Sequence, residues 1–469
     1  MKLQPLSTKT AMFAMKSRRP CSSQGVSEVK ISTEELMSRI TKRKWMLDVP
    51  DTKIHQIMLS SIQGQQQHSD ESFGNISFRN NPHPSLLMEK DTQHGSFYLL
   101  RDDLLHPLVN GNKARKLDAL LPLLVDHSVT DVDGSKASSR SLNFGQFLLR
   151  RTEDQLTFNG KFSRLLVEAV KVHMQQLLVA VSCAEAGIKS HLLLRGEQPE
   201  VLTGYNLIST LYGNVTYVPR HIYAHRESML KSHANTVAGN AGHILWCDDI
   251  LATNGSSSAL NMKQMDGLEN YQKKVLIVNE GAGDTVALLG VIRLIQYLSQ
   301  DHLLGKERRV KLVADAGTGT TAIGLGLGAL CLGLPWEVTG IILADPVNSY
   351  IEREKRLISN FRTQFGFHLT NHCLNEVDGG VVHWVERNRR RKFGKVMEGE
   401  IERCQDIAQE TGILVDPVYT LAAWEIATEL SKDKEEDGAE VVMLHTGGTL
   451  GMFGLAQRYK TYFNTLKHG

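Results

Sequence analysis

The feature that most constrains this chain is a long alternation of short apolar runs with longer stretches of helical spacing. Gly95–Arg101 (GSFYLLR), Ser190–Arg195, Val215–Val218, Val275–Asn279, Val310–Ala314, Val338–Leu343 and Val441–Leu444 read as strands. Ala114–Leu124, Tyr205–Leu211, Thr285–Leu298, a segment from Thr321 and Glu398–Thr411 read as helices, and Ile31–Trp45 as a helix entering the folded part. Ser60–Pro84, polar and carrying Gln65-Gln66-Gln67, reads as a loop. Strands that alternate with helices predict an α/β fold of parallel sheets with helices on both faces. Ligands in such folds sit in the loops beyond the carboxyl ends of the strands.

At 469 residues the chain is too long for one simple core and fits two domains plus a tail. A net charge of +2 with 22% charged residues calls for neither nucleic acid nor an anionic membrane. The one basic run, Arg387-Asn388-Arg389-Arg390-Arg391-Lys392, reads as a solvated face. The six cysteines lie far apart without a Cys-x-x-Cys pair, so we expect no zinc or other metal site and no disulfide framework. The longest apolar stretch, Ala322 to Trp336, is shorter than the roughly 20 residues a membrane-spanning helix needs. Residues 1–27 contain no Asp or Glu but carry Lys2, Lys9, Lys16, Arg18 and Arg19 among many hydroxyl residues. That is the composition of an organelle transit peptide, with a plain disordered tail as the alternative, and we expect a mitochondrial location ahead of a plastid or cytoplasmic one.

Three segments carry chemistry. Asn110-Gly111-Asn112-Lys113-Ala114-Arg115-Lys116-Leu117 puts a lysine just after a glycine turn at a helix start. Helix-start amides lower the pKa of a nearby ammonium, and an amine that deprotonates readily can form a Schiff base. Asp315-Ala316-Gly317-Thr318-Gly319-Thr320-Thr321 lies between a strand and a helix. Its glycines let amides converge at a helix N-terminus, which makes a phosphate cradle. No Walker lysine follows, which disfavours a triphosphatase, and no Gly-x-Gly-x-x-Gly with a later acidic residue supports a dinucleotide oxidoreductase. The third segment is the pair Asp416-Pro417-Val418-Tyr419-Thr420 and His445-Thr446-Gly447-Gly448-Thr449.

In this order the segments resemble pyridoxal-phosphate (PLP) enzymes of the tryptophan synthase β type. Within that class, Gly-Asn-Lys-x-Arg-Lys-Leu, Asp-Pro-Val-Tyr and His-Thr-Gly-Gly resemble the D-cysteine desulfhydrase and 1-aminocyclopropane-1-carboxylate deaminase family, from about Lys44 to Phe463. The resemblance implies that Lys113 is the Schiff-base lysine, with Asn112 beside it on the cofactor. It implies that Gly317, Thr318, Gly319, Thr320 and Thr321 hold the phosphate, that Tyr419 stands near the substrate and that Thr420 lies near the pyridine nitrogen. The family's ring-opening deaminases carry Glu at the last position and its desulfhydrases Thr. A carboxylate would keep the pyridine nitrogen protonated and the ring a strong electron sink, which opening a cyclopropane needs. Thiolate, with a conjugate acid near pKa 8.5 or so, leaves more easily. Thr420 therefore favours β-elimination from D-cysteine to pyruvate, ammonia and sulfide. We expect a homodimer acting on a small amino acid. Two departures stand out: Leu421-Ala422 replaces the family's Gly-Lys, and Lys392-Phe393-Gly394 replaces its Gly-Tyr-Gly substrate loop, with a Phe that cannot donate a hydrogen bond.

The expected organisation is a transit peptide over 1–30, a larger PLP-binding domain from 31–119 and 275–469, a smaller α/β domain over 120–251 and a linker over 252–274. The smaller domain is interrupted by an anomalous stretch, 133–178. The family shows Gly-Gly-x-Gln-Ser-x-His soon after the lysine helix, and this chain does not. Val167-Glu168-Ala169-Val170-Lys171-Val172-His173-Met174-Gln175, back-translated and read one base earlier, can encode that motif. We read Asp133–Leu178 as a loop-rich segment containing the catalytic stretch out of frame. The chain as written is then expected to bind PLP but to turn over weakly.

Overall fold

The computed structural model describes residues 32–61, 76–86, 95–108, 111–128, 164–169, 173–223, 225–240, 242–249, 274–279, 283–365, 380–432, 438–464 and 466. Its strands are β1 (Ile54–Ser61), β2 (Ile76–Asn81), β3 (Ser96–Leu100), β4 (Arg164–Ala169), β5 (Lys189–Arg195), β6 (Asn214–Val218), β7 (His243–Trp246), β8 (Lys274–Val278), β9 (Val310–Ala316), β10 (Trp336–Ile342), β11 (His383–Glu386) and β12 (Glu440–Leu444). They form two sheets. The larger has seven strands in the order β11-β10-β9-β12-β3-β1-β2, and the smaller five in the order β6-β5-β4-β8-β7. Every pairing in the smaller sheet is parallel. In the larger sheet β1 runs antiparallel to both β2 and β3, so that edge departs from the all-parallel expectation. β2 also lies inside the stretch expected as loop, Ser60–Pro84, where Ile76 and Phe78 alternate with polar residues in a half-buried edge strand.

Two further expectations are corrected. The smaller sheet takes β8, so the boundary expected at 275 falls after Val278. The anomalous stretch is not loop throughout. β4, with its Leu165-Leu166-Val167 run, is the middle strand of the smaller sheet, bonded to β5 on one side and β8 on the other. The helix His173–Glu185 follows it, and residues 129–163 and 170–172 lie outside the described residues, as does the expected transit peptide up to residue 31.

The entering helix is shorter than expected, Thr33–Thr41, and Ser32 caps it by accepting the Glu35 amide at 3.1 Å. The expected helix Ala114–Leu124 is two helices, Asn112–Asp118 and Leu120–Ser128. Pro122 has no N–H to return to the Asp118 carbonyl, which accepts the Met46 amide at 2.8 Å instead. The helix Val286–Leu298 is buried on most of its surface and clamped between two others. On one side a Cβ at Gly324 of the helix Thr320–Cys331 would stand 2.8 Å from Val291 Cβ. On the other, a Cβ at Gly290 would stand 1.9 Å from the Arg115 carbonyl oxygen. Only glycine permits this approach, which presses the helix bearing Lys113 onto the larger domain's core. Among the described residues no helix is long and apolar enough to cross a membrane.

Candidate active site

Lys113 stands in the first turn of Asn112–Asp118, a short helix whose polar groups are fixed on every side. Arg115, 1% exposed, donates to both carboxylate oxygens of Asp102 (3.1 and 2.9 Å) and to the carbonyls of Pro50 and Asp51 (2.7 and 2.8 Å). Asp118 accepts the Leu47 amide at 2.7 Å and the Arg293 guanidinium at 2.9 Å. At the other end Gly111, with φ +74°, lies so close to the His445–Gly448 loop that a Cβ would come within 1.9 Å of the Thr446 carbonyl oxygen. Lys113 is thereby held in a buried position, its Nζ 5.9 Å from the centre of the Tyr419 ring. Burial, opposed by the nearby carboxylates of Asp315 and Asp416, pushes its pKa down to about 8. The helix start expected to do this is not the main cause. Lys116, buried next to it, is pushed down to about 7 by burial and by the like charge of Lys113.

The glycine-rich turn follows β9 and opens the helix Thr320–Cys331. Its carbonyls are pinned from one side. The Tyr350 hydroxyl lies 2.8 Å from the oxygens of both Ala316 and Gly317, and Arg353 Nη1 donates to Thr318 O at 2.7 Å. Both residues belong to the helix Val347–Phe365. Pinning the carbonyls turns the peptide planes, and the first-turn amides of Thr320–Cys331 have no intrahelical partner. Gly319 has φ +81°, and a Cβ there would strike Trp384 and Tyr350 at 2.9 Å each. Asn112 reaches across to the turn, donating from Nδ2 to Thr321 Oγ1 at 2.9 Å. Its Oδ1 is buried and has no hydrogen-bond partner among the described residues.

The third wall is the turn Asp416–Thr420, which starts the helix Thr420–Lys432. The Asp416 carboxylate accepts the amides of Val418 (2.9 Å), Tyr419 (2.9 Å) and Thr420 (3.2 Å). Thr420 Oγ1 donates to Asp416 Oδ2 at 3.0 Å and accepts the Asp416 amide at 2.7 Å. The Thr420 proton is thus committed within the turn, and Asp416 is a capping carboxylate with its oxygens occupied. Gly448 packs against it, and a Cβ there would lie 2.2 Å from Asp416 Oδ2. Asp315 accepts the Thr446 hydroxyl, and burial raises its pKa to about 6.

A cavity of about 990 Å³ opens beside this cluster, between the two sheets. The larger domain lines it with Phe393, Asp416, Tyr419 and Gly448, and the smaller with Arg195, Thr203, Tyr205 and Asn206. Lys113 does not itself line it; the Tyr419 ring belongs to both the cavity and the lysine's surroundings. Phe393 packs edge-on to Tyr419 with ring centres 5.6 Å apart, so the departure from the family's Gly-Tyr-Gly falls on the cavity wall. Burial drives the Tyr419 hydroxyl well above its ordinary pKa, with Asp416 and Asp315 adding to the shift.

All the residues singled out in the sequence therefore converge: Asn112, Lys113, Gly317–Thr321, Tyr419 and Thr420 lie around one site. Sequence reasoning missed Tyr350 and Arg353, which fix the cradle, and Tyr205, which faces the site from the other domain. No local motif marks the first two, although their spacing of three places them on one helix face. The residues present fit PLP. A buried amine with a lowered pKa suits a carbonyl, a pinned glycine turn at a helix N-terminus suits a phosphate, and the orphaned Asn112 Oδ1 leaves a polar atom for a ligand.

No protein-family model matches the chain. A protein of Oryza sativa subsp. japonica with the provisional name D-cysteine desulfhydrase 2, mitochondrial, is 45% identical over 432 residues, covering 91% of this chain and 95% of the relative. A Pyrococcus abyssi protein, provisionally named a 1-aminocyclopropane-1-carboxylate deaminase, is 27% identical over 359 residues, 76% of this chain and 85% of its own. The crystal structure of an ACC deaminase homologue covers 78% of this chain and 89% of its own, with a TM-score of 0.54 at 19% identity, and shares the fold. The chain belongs to the D-cysteine desulfhydrase and 1-aminocyclopropane-1-carboxylate deaminase family of PLP-dependent lyases.

Proposed function

We propose that this chain is a mitochondrial D-cysteine desulfhydrase that converts D-cysteine and water to pyruvate, ammonia and hydrogen sulfide. The observation that carries the reading is the buried Lys113 amine, lowered to about pKa 8 and set among the pinned glycine turn, Asn112 and Tyr419. Bound PLP supplies a carbonyl for an amine and an electron sink for the bonds around the substrate's α-carbon. Lys113 Nζ, neutral in a useful fraction near pH 8, would be the amine that holds the cofactor. The amides of Gly317–Thr321 would hold its phosphate, and Asn112 would border its ring. Tyr419 keeps its proton at Oη throughout the working pH range and can donate a hydrogen bond to a departing thiolate. Thr420 offers a neutral hydroxyl, and the adjacent Asp416 is occupied by three amides and that hydroxyl. With no free carboxylate in that turn to accept from a pyridine N–H and keep it protonated, elimination of a thiolate is favoured over cyclopropane opening.

The acid-free segment 1–27 and the name of the rice relative support the mitochondrial placement. A second reading, a PLP-binding chain with little turnover, is favoured by one observation: the stretch after β4, Val170–Gln175, carries no Ser where the family's Gly-Gly-x-Gln-Ser-x-His is expected. Sulfide release from D-cysteine, L-cysteine and 1-aminocyclopropane-1-carboxylate (ammonia release for the last) tests the proposal on protein showing the visible cofactor band. Release from D-cysteine above the other two supports the desulfhydrase. Comparable turnover of the cyclopropane rules out our reading of Thr420, and an intact band without turnover selects the second reading.

A further inference from the structure

Among the described residues Tyr205 is the one aromatic hydroxyl that the smaller domain brings to the cavity wall, from the start of the helix Gly204–Tyr212. The side chain is buried; the Gly451 amide lies toward its Oη, but no hydrogen bond of good geometry reaches that oxygen among the described residues, and its proton has no acceptor there. A buried hydroxyl without a partner costs about 1–3 kcal/mol, so its retention at a cavity wall points to a ligand. The ring is accommodated by Gly451, where a Cβ would lie 3.0 Å from Tyr205 Cε2 and 3.7 Å from Oη. The Gly451 amide is itself committed to the Gly448 carbonyl at 2.9 Å. Phe393, also on the cavity wall, has a side chain with no polar atom to offer.

The chemistry of the occupant follows from the hydroxyl's state. Burial and the neighbouring Asp416 carboxylate hold the phenol well above its ordinary pKa, so it is a donor and not a base at any working pH. A neutral buried donor is best satisfied by an anion. The cofactor's phosphate has its own cradle at Gly317–Thr321, on the larger domain. The anion that every amino-acid substrate must bring is its α-carboxylate.

We propose that Tyr205 is a substrate-binding residue whose hydroxyl donates a hydrogen bond to the carboxylate of the amino acid in the cleft. The inference rests on the reading of the cleft as an amino-acid site, and it concerns binding rather than bond breaking. The test is a titration of PLP-loaded protein, wild type and Tyr205→Phe, followed by the visible cofactor band. The probes are D-alanine, which has no thiol to expel, and D-alaninol, which lacks the carboxylate. Loss of a hydrogen bond to a charged group is expected to weaken D-alanine about tenfold to a hundredfold. D-alaninol should bind both proteins alike, the cofactor affinity should not change, and the melting temperature of the substrate-free protein should not fall, since the hydroxyl removed has no partner there. Equal D-alanine affinity in the two proteins overturns the proposal, as does an equal loss for D-alaninol or a wild-type band that responds to no amino acid. If D-alanine binding depends on Tyr205 but D-cysteine releases no sulfide, the desulfhydrase reading fails while this inference stands.

Discussion

The two walls of the cleft are built in different ways. On the larger domain, function is written in the backbone: glycines at 111, 319 and 448 let main chain and side chains approach where no Cβ fits, and Arg115, Tyr350 and Arg353 fix carbonyls from behind. The outer core there contains Trp424, contacted edge-on by Phe78 and Phe97. On the smaller domain the outer cluster among the described residues is Leu193, Val218, Leu230, Ala234, Val237, Ala238, Val275 and Ile277, with Trp246 partly buried against it. Buried hydroxyls of Ser182, Ser190, Tyr205, Ser209 and Tyr217 lack partners among the described residues. Unpaired buried polar atoms occur on the larger domain too, Asn112 Oδ1 and Trp424 Nε1 among them, so the difference lies in the backbone: the cofactor side is fixed in advance by close-approach glycines and pinned carbonyls, and the substrate side meets the cavity with side chains such as Tyr205.

The largest effect expected on this contrast is at Lys113. Lys113→Ala should abolish the visible cofactor band and all turnover, read by absorbance and sulfide release. A band that survives would move the anchor elsewhere and break the assignment of the rigid wall. Next comes the other wall. Replacing the stretch after β4 with Gly-Gly-x-Gln-Ser-x-His should raise sulfide release about 10²–10⁴-fold, the usual worth of a positioned proton-transfer group. No gain would mean that this chain already has its proton carrier.

Gly448→Ala forces a side chain onto φ +121° and into Asp416. We expect a loss of about 3 kcal/mol in stability together with weakened cofactor binding, measured by denaturant unfolding and PLP titration. Cofactor uptake by the PLP-free protein should depend on pH with a set sign. The neutral amine is the reactive form, so uptake rises with pH and levels off above the lysine's pKa of about 8. Between about pH 9 and about pH 7 the rate should fall about tenfold, and stopped-flow absorbance checks it. A flat profile would mean that Lys113 is neutral throughout and that Asp315 and Asp416 contribute nothing to its charge. The smallest effect is on the substrate side. Ser209 is fully buried with its hydroxyl unpaired, so Ser209→Ala should stabilise by about 1 kcal/mol and raise the melting temperature by about 2–4 °C.

Most of the larger domain was legible in the sequence because its elements announce themselves locally. Apolar runs such as Val310–Ala314 bounded by glycines fix strand, turn and helix start within one window, and the site residues ride on those turns. What was not legible is what one distant element does for another. Tyr350 and Arg353 sit more than thirty residues beyond the turn they pin, and nothing in their helix marks the partner. Tyr205 is in the same position, since only the folding of one domain over the other gives its hydroxyl a meaning. β2 and β4 were missed for another reason: each is short and embedded in polar or atypical sequence, and pairing with neighbours decides its conformation.

The place of β4 in the smaller sheet also governs the order in which the molecule can assemble. β5 and β6 follow each other closely and can pair as soon as both exist. The opposite edge of β4 must wait for β8, whose residues Val275–Val278 pair with Arg164–Val167 across more than a hundred positions of chain. Closing a loop of that length is entropically costly and slow, and until it closes the apolar edge of the half-built sheet is open to other chains. The larger sheet waits longer still, since β3 pairs with β12 across more than three hundred positions of chain, so the cofactor wall is the last part of the cleft to close and the open edge of β4 is an earlier place where folding of the newly made protein can go astray.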